Sequence, residues 1–272
     1  MSNFFRYKDF VLEYIVFGKG PEKMLALHGF GRNAHNFLVF EDALKDKYTV
    51  FSFAIFHHGK SKYPDNRIHS NTLQKQELKE LVEVFLMEQN IERFSLMGYS
   101  LGGKLSFMLM EFFAERINKV FLFAAEGMKE RGWYNRVSHS IFWQRFFRIG
   151  IQIPILIYIP LRLLQWFKFI KPASEKFLIH KLDTEKKRQL VYDVWMTFRD
   201  IHPNIELVQN LINAQKIDCK LFYGKYDTII PVELGEVFSK KLNNPNVVYC
   251  IDTGHSLISA KVADYLTSKD LL

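Results

Sequence analysis

Cysteine is nearly absent from this chain: among 272 residues there are two, Cys219 and Cys250. Two thiols build no secreted disulfide framework and lack the spacing of a metal site. Both are expected as reduced, buried thiols on strands. Glycine (14) and proline (8) occur at ordinary levels, which excludes collagen-like and low-complexity classes. No internal repeat occurs at the usual periods. The first residues, MSNFFRYKDF, lack a basic start followed by an apolar run of signal-peptide length, so a cytoplasmic location is expected. One segment is poor in acid. From Lys129 to Lys171 there are eight basic residues and a single acidic one, Glu130.

What is abundant is apolar side chain. The chain is 48% hydrophobic and holds 26 phenylalanines. A chain this apolar buries enough surface to offset its ordering entropy, which excludes wholesale disorder. The length suits one globular domain, or one domain with a large insertion. The net charge of +8 says only that anionic surfaces attract the protein.

The first half alternates strand and helix signals. Strands are expected at Phe10–Phe17, Lys23–His28, Tyr48–Ala54, Arg93–Met97 and Lys119–Ala125. Helical spacing of apolar residues marks Thr72–Glu88 and Leu101–Phe113. From about Glu126 to Gln215 the sequence turns helical, basic and aromatic. The alternation then resumes with a strand at Cys219–Tyr223, a helical stretch at Pro231–Leu242, a strand at Val247–Ile251 and a last helix at about Ser256–Ser268. Repeated strand–helix units imply a mainly parallel sheet with helices on both faces. The expected organisation is a core of residues 1–125 and 216–272, interrupted after the strand at 119–125 by a helical insertion, 126–215. Ligands of such sheets bind beyond the carboxyl ends of the strands, where an insertion would cover them.

The sharpest local signal is Gly98-Tyr99-Ser100-Leu101-Gly102-Gly103, with a strand before it and a helix after it. That context defines a nucleophile elbow. The serine must stand on a tight, crowded turn, so the residues two before and two after it must be small. Gly98 and Gly102 meet that need. The helix that follows presents unpaired N–H groups and a positive dipole end. A serine hydroxyl is a weak nucleophile until a base takes its proton. His255, in Thr253-Gly254-His255-Ser256, follows the last strand. Asp227, in Gly224-Lys225-Tyr226-Asp227, follows the strand before it. The chain order Ser…Asp…His, each member after a strand, is that of a serine–histidine–acid triad on such a sheet. Glu126, after the strand at 119–125, is an alternative triad acid. The backbone N–H groups of Phe30, in His28-Gly29-Phe30-Gly31, and of Leu101 are the natural pair to hold an oxyanion. His28 and Gly29 are read as bracing that loop.

These segments — HGFG, GYSLGG, GKYDTIIP and TGHS — resemble the α/β-hydrolase superfamily, of the kind with a helical cap, over nearly the whole chain. The resemblance implies an α/β-hydrolase fold, with Ser100 as nucleophile, Asp227 orienting His255, and Phe30 supplying an oxyanion donor. It further implies an enzyme that cleaves a carboxylic ester or related acyl bond through an acyl-serine, with no cofactor and no metal. Acyl transfer, carbon–carbon cleavage or lyase chemistry with the same triad, and a non-catalytic ligand receptor, are the alternatives. Aspartate-nucleophile members are disfavoured, because position 100 is serine. Many members carry an acidic-Leu-Pro-Gly-His-Gly-x-Ser stretch; here Ala54 to Ser61 reads AIFHHGKS, with His58, Gly59 and Ser61 matching and the acidic position replaced by Ala54.

Gly59-Lys60-Ser61 ends like a phosphate-binding loop, but the first glycine of that pattern falls on Ala54. His57 and His58 have no spaced carboxylate or cysteine partners for a metal and read as loop histidines near the site mouth. No nucleic-acid recognition motif accompanies the positive charge. Ile149–Ile170 is long enough to span a bilayer, but Pro154, Pro160, Arg162 and Lys168 interrupt it. Two readings remain for it. One is buried core lining an apolar pocket, suited to an apolar substrate. The other is peripheral contact with an anionic membrane through Trp143, Phe146, Phe147, Trp166 and Phe167 among Arg145, Arg148, Arg162, Lys168 and Lys171. The sequence leaves the oligomeric state open.

Overall fold

The computed structural model describes residues 2–68, 71–129, 138–168, 179–180 and 182–272, except the side chain of Leu164. The chain divides into two compact units. The first comprises Met1–Pro64, Gln74–Glu130 and Ile201–Leu272; the second comprises Asp65–Leu73 and Arg131–Asp200.

The first unit is built on one eight-stranded sheet: β1 (Asn3–Tyr7), β2 (Phe10–Phe17), β3 (Glu22–Leu27), β4 (Tyr48–Phe53), β5 (Phe94–Tyr99), β6 (Ile117–Phe123), β7 (Asp218–Gly224) and β8 (Val248–Ile251). Their spatial order is β1-β2-β4-β3-β5-β6-β7-β8. The pairs β1–β2 and β2–β4 are antiparallel, and all others are parallel. β5 is buried at every position, as a central strand covered on both faces must be. Aromatic rings run across the sheet: Phe40 on Phe123, Phe123 on Phe222 and Phe222 on Tyr249, with centroids 5.5, 4.7 and 5.2 Å apart. Phe40, Phe123 and Phe222 are fully buried, each removing apolar area worth about 1.5–3 kcal/mol from water.

Strand β1 is absent from the sequence expectation. Only Phe5 of it is buried, and its turn to β2 runs through Lys8 at φ +51°, without the Asn-Gly or Asp-Gly pair that announces a hairpin. Cys219 is buried on β7, where burial pushes its thiol up to about 12. Cys250 lies on β8 but is exposed, because β8 is the edge strand and turns that side chain outward; the expectation of two buried thiols is corrected here.

The helices of the first unit are α1 (Glu41–Leu44), α2 (Lys75–Glu88), α3 (Leu101–Phe113), α7 (Ile205–Gln215), α8 (Val232–Ser239) and α9 (Ala260–Ser268); those of the second are α4 (Ile141–Gln152), α5 (Ile155–Trp166) and α6 (Glu185–Phe198). α7, expected within the insertion, packs on α3 in the first unit.

In the second unit, Phe147 of α4 stacks near Tyr192 and Trp195 of α6, with centroids 5.9 and 6.0 Å away. The buried Arg188 donates to the carbonyls of Ile151 and Leu182 at 2.8 and 2.9 Å, satisfying a charge that burial would otherwise penalise. The reading of Ile149–Ile170 as buried core is corrected. Among its described side chains only Gly150, Ile151 and Ile157 are buried, because one narrow seam between α4 and α5 faces inward and the remainder points out. Arg131, Arg136, Lys171 and positions 169–170 lie outside the described residues. No single helix among the described residues is long and apolar enough to cross a membrane.

Candidate active site

The site begins with a strained backbone. Ser100 joins β5 to α3 at φ +52°, ψ −113°, in a region costly for any residue with a Cβ. Its surroundings hold it there. Ser100 N–H donates to the Phe123 carbonyl at 2.9 Å, and the Ser100 carbonyl accepts from Gly103 and Glu126 at 2.9 and 3.0 Å. The small neighbours have steric causes. A Cβ on Gly102 would overlap the backbone of Leu27 and His28. One on Gly98 would overlap Ser106 Oγ and lie 2.9 Å from the Gly102 carbonyl, and one on Gly103 would overlap Ala125. The Leu101 amide is the first of α3, with no carbonyl a turn behind it to accept its hydrogen.

The HGFG loop packs against this turn. A Cβ on Gly29 would lie 3.0 Å from Ser100 Cβ and 2.9 Å from the Tyr99 ring, so only glycine lets the loop approach. Two histidines fix it. His28 is fully buried, with Nδ1 2.8 Å from the Gly29 carbonyl and Nε2 accepting the Ile55 N–H at 3.2 Å. His58 repeats the pattern: Nδ1 lies 3.0 Å from the Phe56 carbonyl, and Nε2 accepts the Gly31 N–H at 2.9 Å. A carbonyl at one nitrogen and an N–H at the other require the neutral ring protonated at Nδ1. Burial favours that form too, lowering His28 to about 3 and His58 below its ordinary value. The two rings meet edge to face at 5.0 Å, and the Phe30 ring sits against His58 at 5.8 Å.

His58 therefore differs from its expected place. It is a buried brace of the loop that carries Phe30, where a histidine at the site mouth was expected. Its pairing with Gly31, 27 positions away, is a tertiary fact. His57 is the more exposed of the pair, at φ +68° and beside Tyr63. The acidic residue absent from position 54 has a counterpart from another strand. Glu13 of β2 accepts the Lys60 N–H at 2.5 Å; desolvation, the largest single effect on its carboxylate, raises it, but hydrogen bonds from Lys60 N–H and Ser2 and the nearby positive charge together hold it below the usual range. Ser61 Oγ accepts from Glu13 N–H and donates to the Ala54 carbonyl.

Asp227 and His255 are brought together. His255 Nδ1 is 2.7 Å from Asp227 Oδ2. The other carboxylate oxygen accepts the N–H groups of Ile229 and Ile230 at 2.8 and 3.0 Å, so the buried charge is fully engaged. The loops beyond β7 and β8 are laced by Lys225 N–H to the Ile251 carbonyl and Tyr226 N–H to the Thr253 carbonyl, 2.8 and 2.9 Å. Glu126, the alternative acid, meets the site through its backbone, which donates to Ser100.

Tyr99 connects the halves. Its hydroxyl donates to the His255 carbonyl at 2.8 Å, its ring lies 5.4 Å from the imidazole, and it is the residue before Ser100. Arg32, three residues beyond Gly29, donates to Ser256 Oγ at 3.4 Å. Sequence reading passed over Tyr99, because the position between Gly98 and Ser100 tolerates many residues. The serine turn, the HGFG loop and the Asp227–His255 pair thus converge at the carboxyl edge of one sheet.

Comparison with known proteins agrees with this architecture. Residues 24–154 match the sequence profile of the α/β hydrolase fold family. The uncharacterized hydrolase YugF of Bacillus subtilis strain 168 is 24% identical over 268 residues, covering 91% of this chain and 90% of its own. An α/β hydrolase enzyme from a Medee basin deep-sea metagenome library superposes with a TM-score of 0.69 at 15% identity, covering 99% of this chain and 96% of its own. A thermophilic esterase from Thermogutta terrifontis gives 0.68 at 13% identity, with the same coverage. The chain has the α/β-hydrolase fold.

Proposed function

We propose that the chain is a serine hydrolase that cleaves a carboxylic ester, or a related acyl bond, of an apolar small molecule. The observation that carries this reading is the 2.7 Å contact between His255 Nδ1 and Asp227 Oδ2, on the same sheet edge as a serine held at positive φ at the start of a helix. With its Nδ1 hydrogen given to Asp227, His255 has Nε2 free to accept a proton from Ser100. The alkoxide adds to the ester carbonyl, and the tetrahedral oxyanion is held by the amides of Leu101 and Phe30. His255 then protonates the departing alcohol, leaving an acyl-serine. Water, deprotonated by the same imidazole, releases the acid. The chemistry needs no cofactor and no metal. The helical insertion after β6 is read as a cap. The esterase similarity of the Thermogutta terrifontis neighbour supports the ester class.

A fluorophosphonate probe tests the reactive serine, and p-nitrophenyl esters of increasing acyl length test the substrate class. The expected result is labelling of Ser100 that is lost in Ser100→Ala, with turnover rising with chain length. Unchanged turnover in Ser100→Ala overturns the mechanism. Labelling without hydrolysis of any ester points instead to acyl transfer or lyase chemistry with the same residues.

A further inference from the structure

The second unit carries an apolar surface that its own packing does not explain. Seventeen large hydrophobic side chains are exposed among the described residues, and ten of them lie between Ile141 and Phe167. On α5 they form a stripe, Ile155, Ile159, Leu163 and Trp166, at helical spacing and 47–72% exposed. A stripe with that spacing normally faces a core. Here it faces outward, while Ile157, with Gly150 and Ile151 of α4, takes the inward side. Ile141, Phe142, Trp143 and Ile149 extend the same kind of surface along α4, and Ile153 and Phe167 flank the two helices. Exposed apolar area on this scale marks an interaction face.

Charge selects the partner. Residues 138–168 contain Arg145, Arg148, Arg162 and Lys168 and no Asp or Glu, and all four cations are exposed. A protein partner with an apolar face would not require that one-sided charge. A bilayer with anionic headgroups matches both features, since aromatic and aliphatic side chains enter the acyl boundary while cations meet phosphates. The two helices do not form one straight span. α4 and the first part of α5 are apolar enough together for a span but are bent by 113° at the Ile153–Pro154 break. Two short helices at that angle can lie in an interface.

We infer that α4 and α5 form a peripheral docking surface for anionic membranes, seating Phe142, Trp143, Ile149, Ile155, Ile159 and Trp166 at the acyl boundary. This stands apart from the hydrolase reading and does not depend on it.

Co-sedimentation of the whole protein with phosphatidylglycerol vesicles, and with phosphatidylcholine vesicles, at low and high salt tests it. Binding to phosphatidylglycerol is expected at low salt, weakened by high salt and by replacing the lipid with phosphatidylcholine. The double variant Phe142→Ser, Trp166→Ser and the double variant Arg145→Glu, Arg148→Glu are each expected to weaken it by about tenfold or more. Val237→Ser, an exposed apolar residue of the first unit, is expected to change nothing. All substituted side chains are exposed, and far-UV circular dichroism verifies that the variants fold. Absence of binding at low salt overturns the inference, as does binding unaffected by both double variants. A lipid-free dimer in sedimentation velocity that Trp166→Ser dissociates also overturns it, assigning the face to a second copy.

Discussion

The Tyr99 hydroxyl donates to the backbone carbonyl of His255 at 2.8 Å, across 156 positions of sequence. The residue before Ser100 is thereby tied to the loop that carries His255. Tyr99 is 3% exposed, and burial raises its hydroxyl to about 12, so it remains a donor throughout the working pH range. Tyr99→Phe keeps the ring against the imidazole and removes one hydrogen bond. It should cost about 1 kcal/mol of stability and lower kcat several-fold with little change in KM. Steady-state kinetics with a melting curve checks both.

Ser100→Gly separates activity from strain. Glycine occupies φ +52° without penalty, whereas alanine does not. Ester hydrolysis should fall by about 10⁴-fold or more in both variants, since the proposed nucleophile is gone. The glycine variant should melt higher than the alanine variant, by about 1 kcal/mol of stability or more. Equal melting temperatures would mean the turn is not strained.

Asp227→Asn tests which acid serves His255. The asparagine oxygen can still accept from Ile229 and Ile230, which turns its NH₂ toward Nδ1. The imidazole then takes its hydrogen on Nε2 and cannot accept from Ser100. A loss of about 10⁴-fold in kcat is expected. Glu126→Gln should leave kcat within a few-fold, because that residue reaches the site through its amide nitrogen.

His28 and His58 predict an acid weakness. Both are neutral when folded, and both accept an N–H that an imidazolium could not accept. Unfolded histidines bind protons near pH 6.5, while folded His28 resists until about pH 3. The unfolded state therefore holds more protons in that window, and stability falls as pH drops through it, by at most about 1.4 kcal/mol per pH unit for each ring. Urea titrations at a series of pH values measure the slope. In His58→Ala the slope should flatten, and kcat should drop by about 10–100-fold, because the Phe30 amide loses the brace at Gly31. A slope unchanged by the substitution would mean that His58 titrates normally.

Local pattern fixed much of this protein. The run from Phe94 through Gly103 specifies strand, tight turn and helix, because a mostly apolar segment, small residues two before and two after Ser100, and a helix start are each local requirements. The order of Ser100, Asp227 and His255 after successive strands was legible for the same reason. What the sequence could not specify were pairings across distance: Tyr99 with His255, His58 with Gly31, Glu13 with the Lys60 turn, and the antiparallel edge strand β1. Each depends on which backbone groups a parallel sheet and its loops bring into register, and neither periodicity nor propensity encodes that. The apolar stretch from Ile149 makes the same point. Its composition suits a core and a membrane face equally, and only the packing of Gly150 and Ile151 of α4 with Ile157 of α5 decides which side chains turn outward.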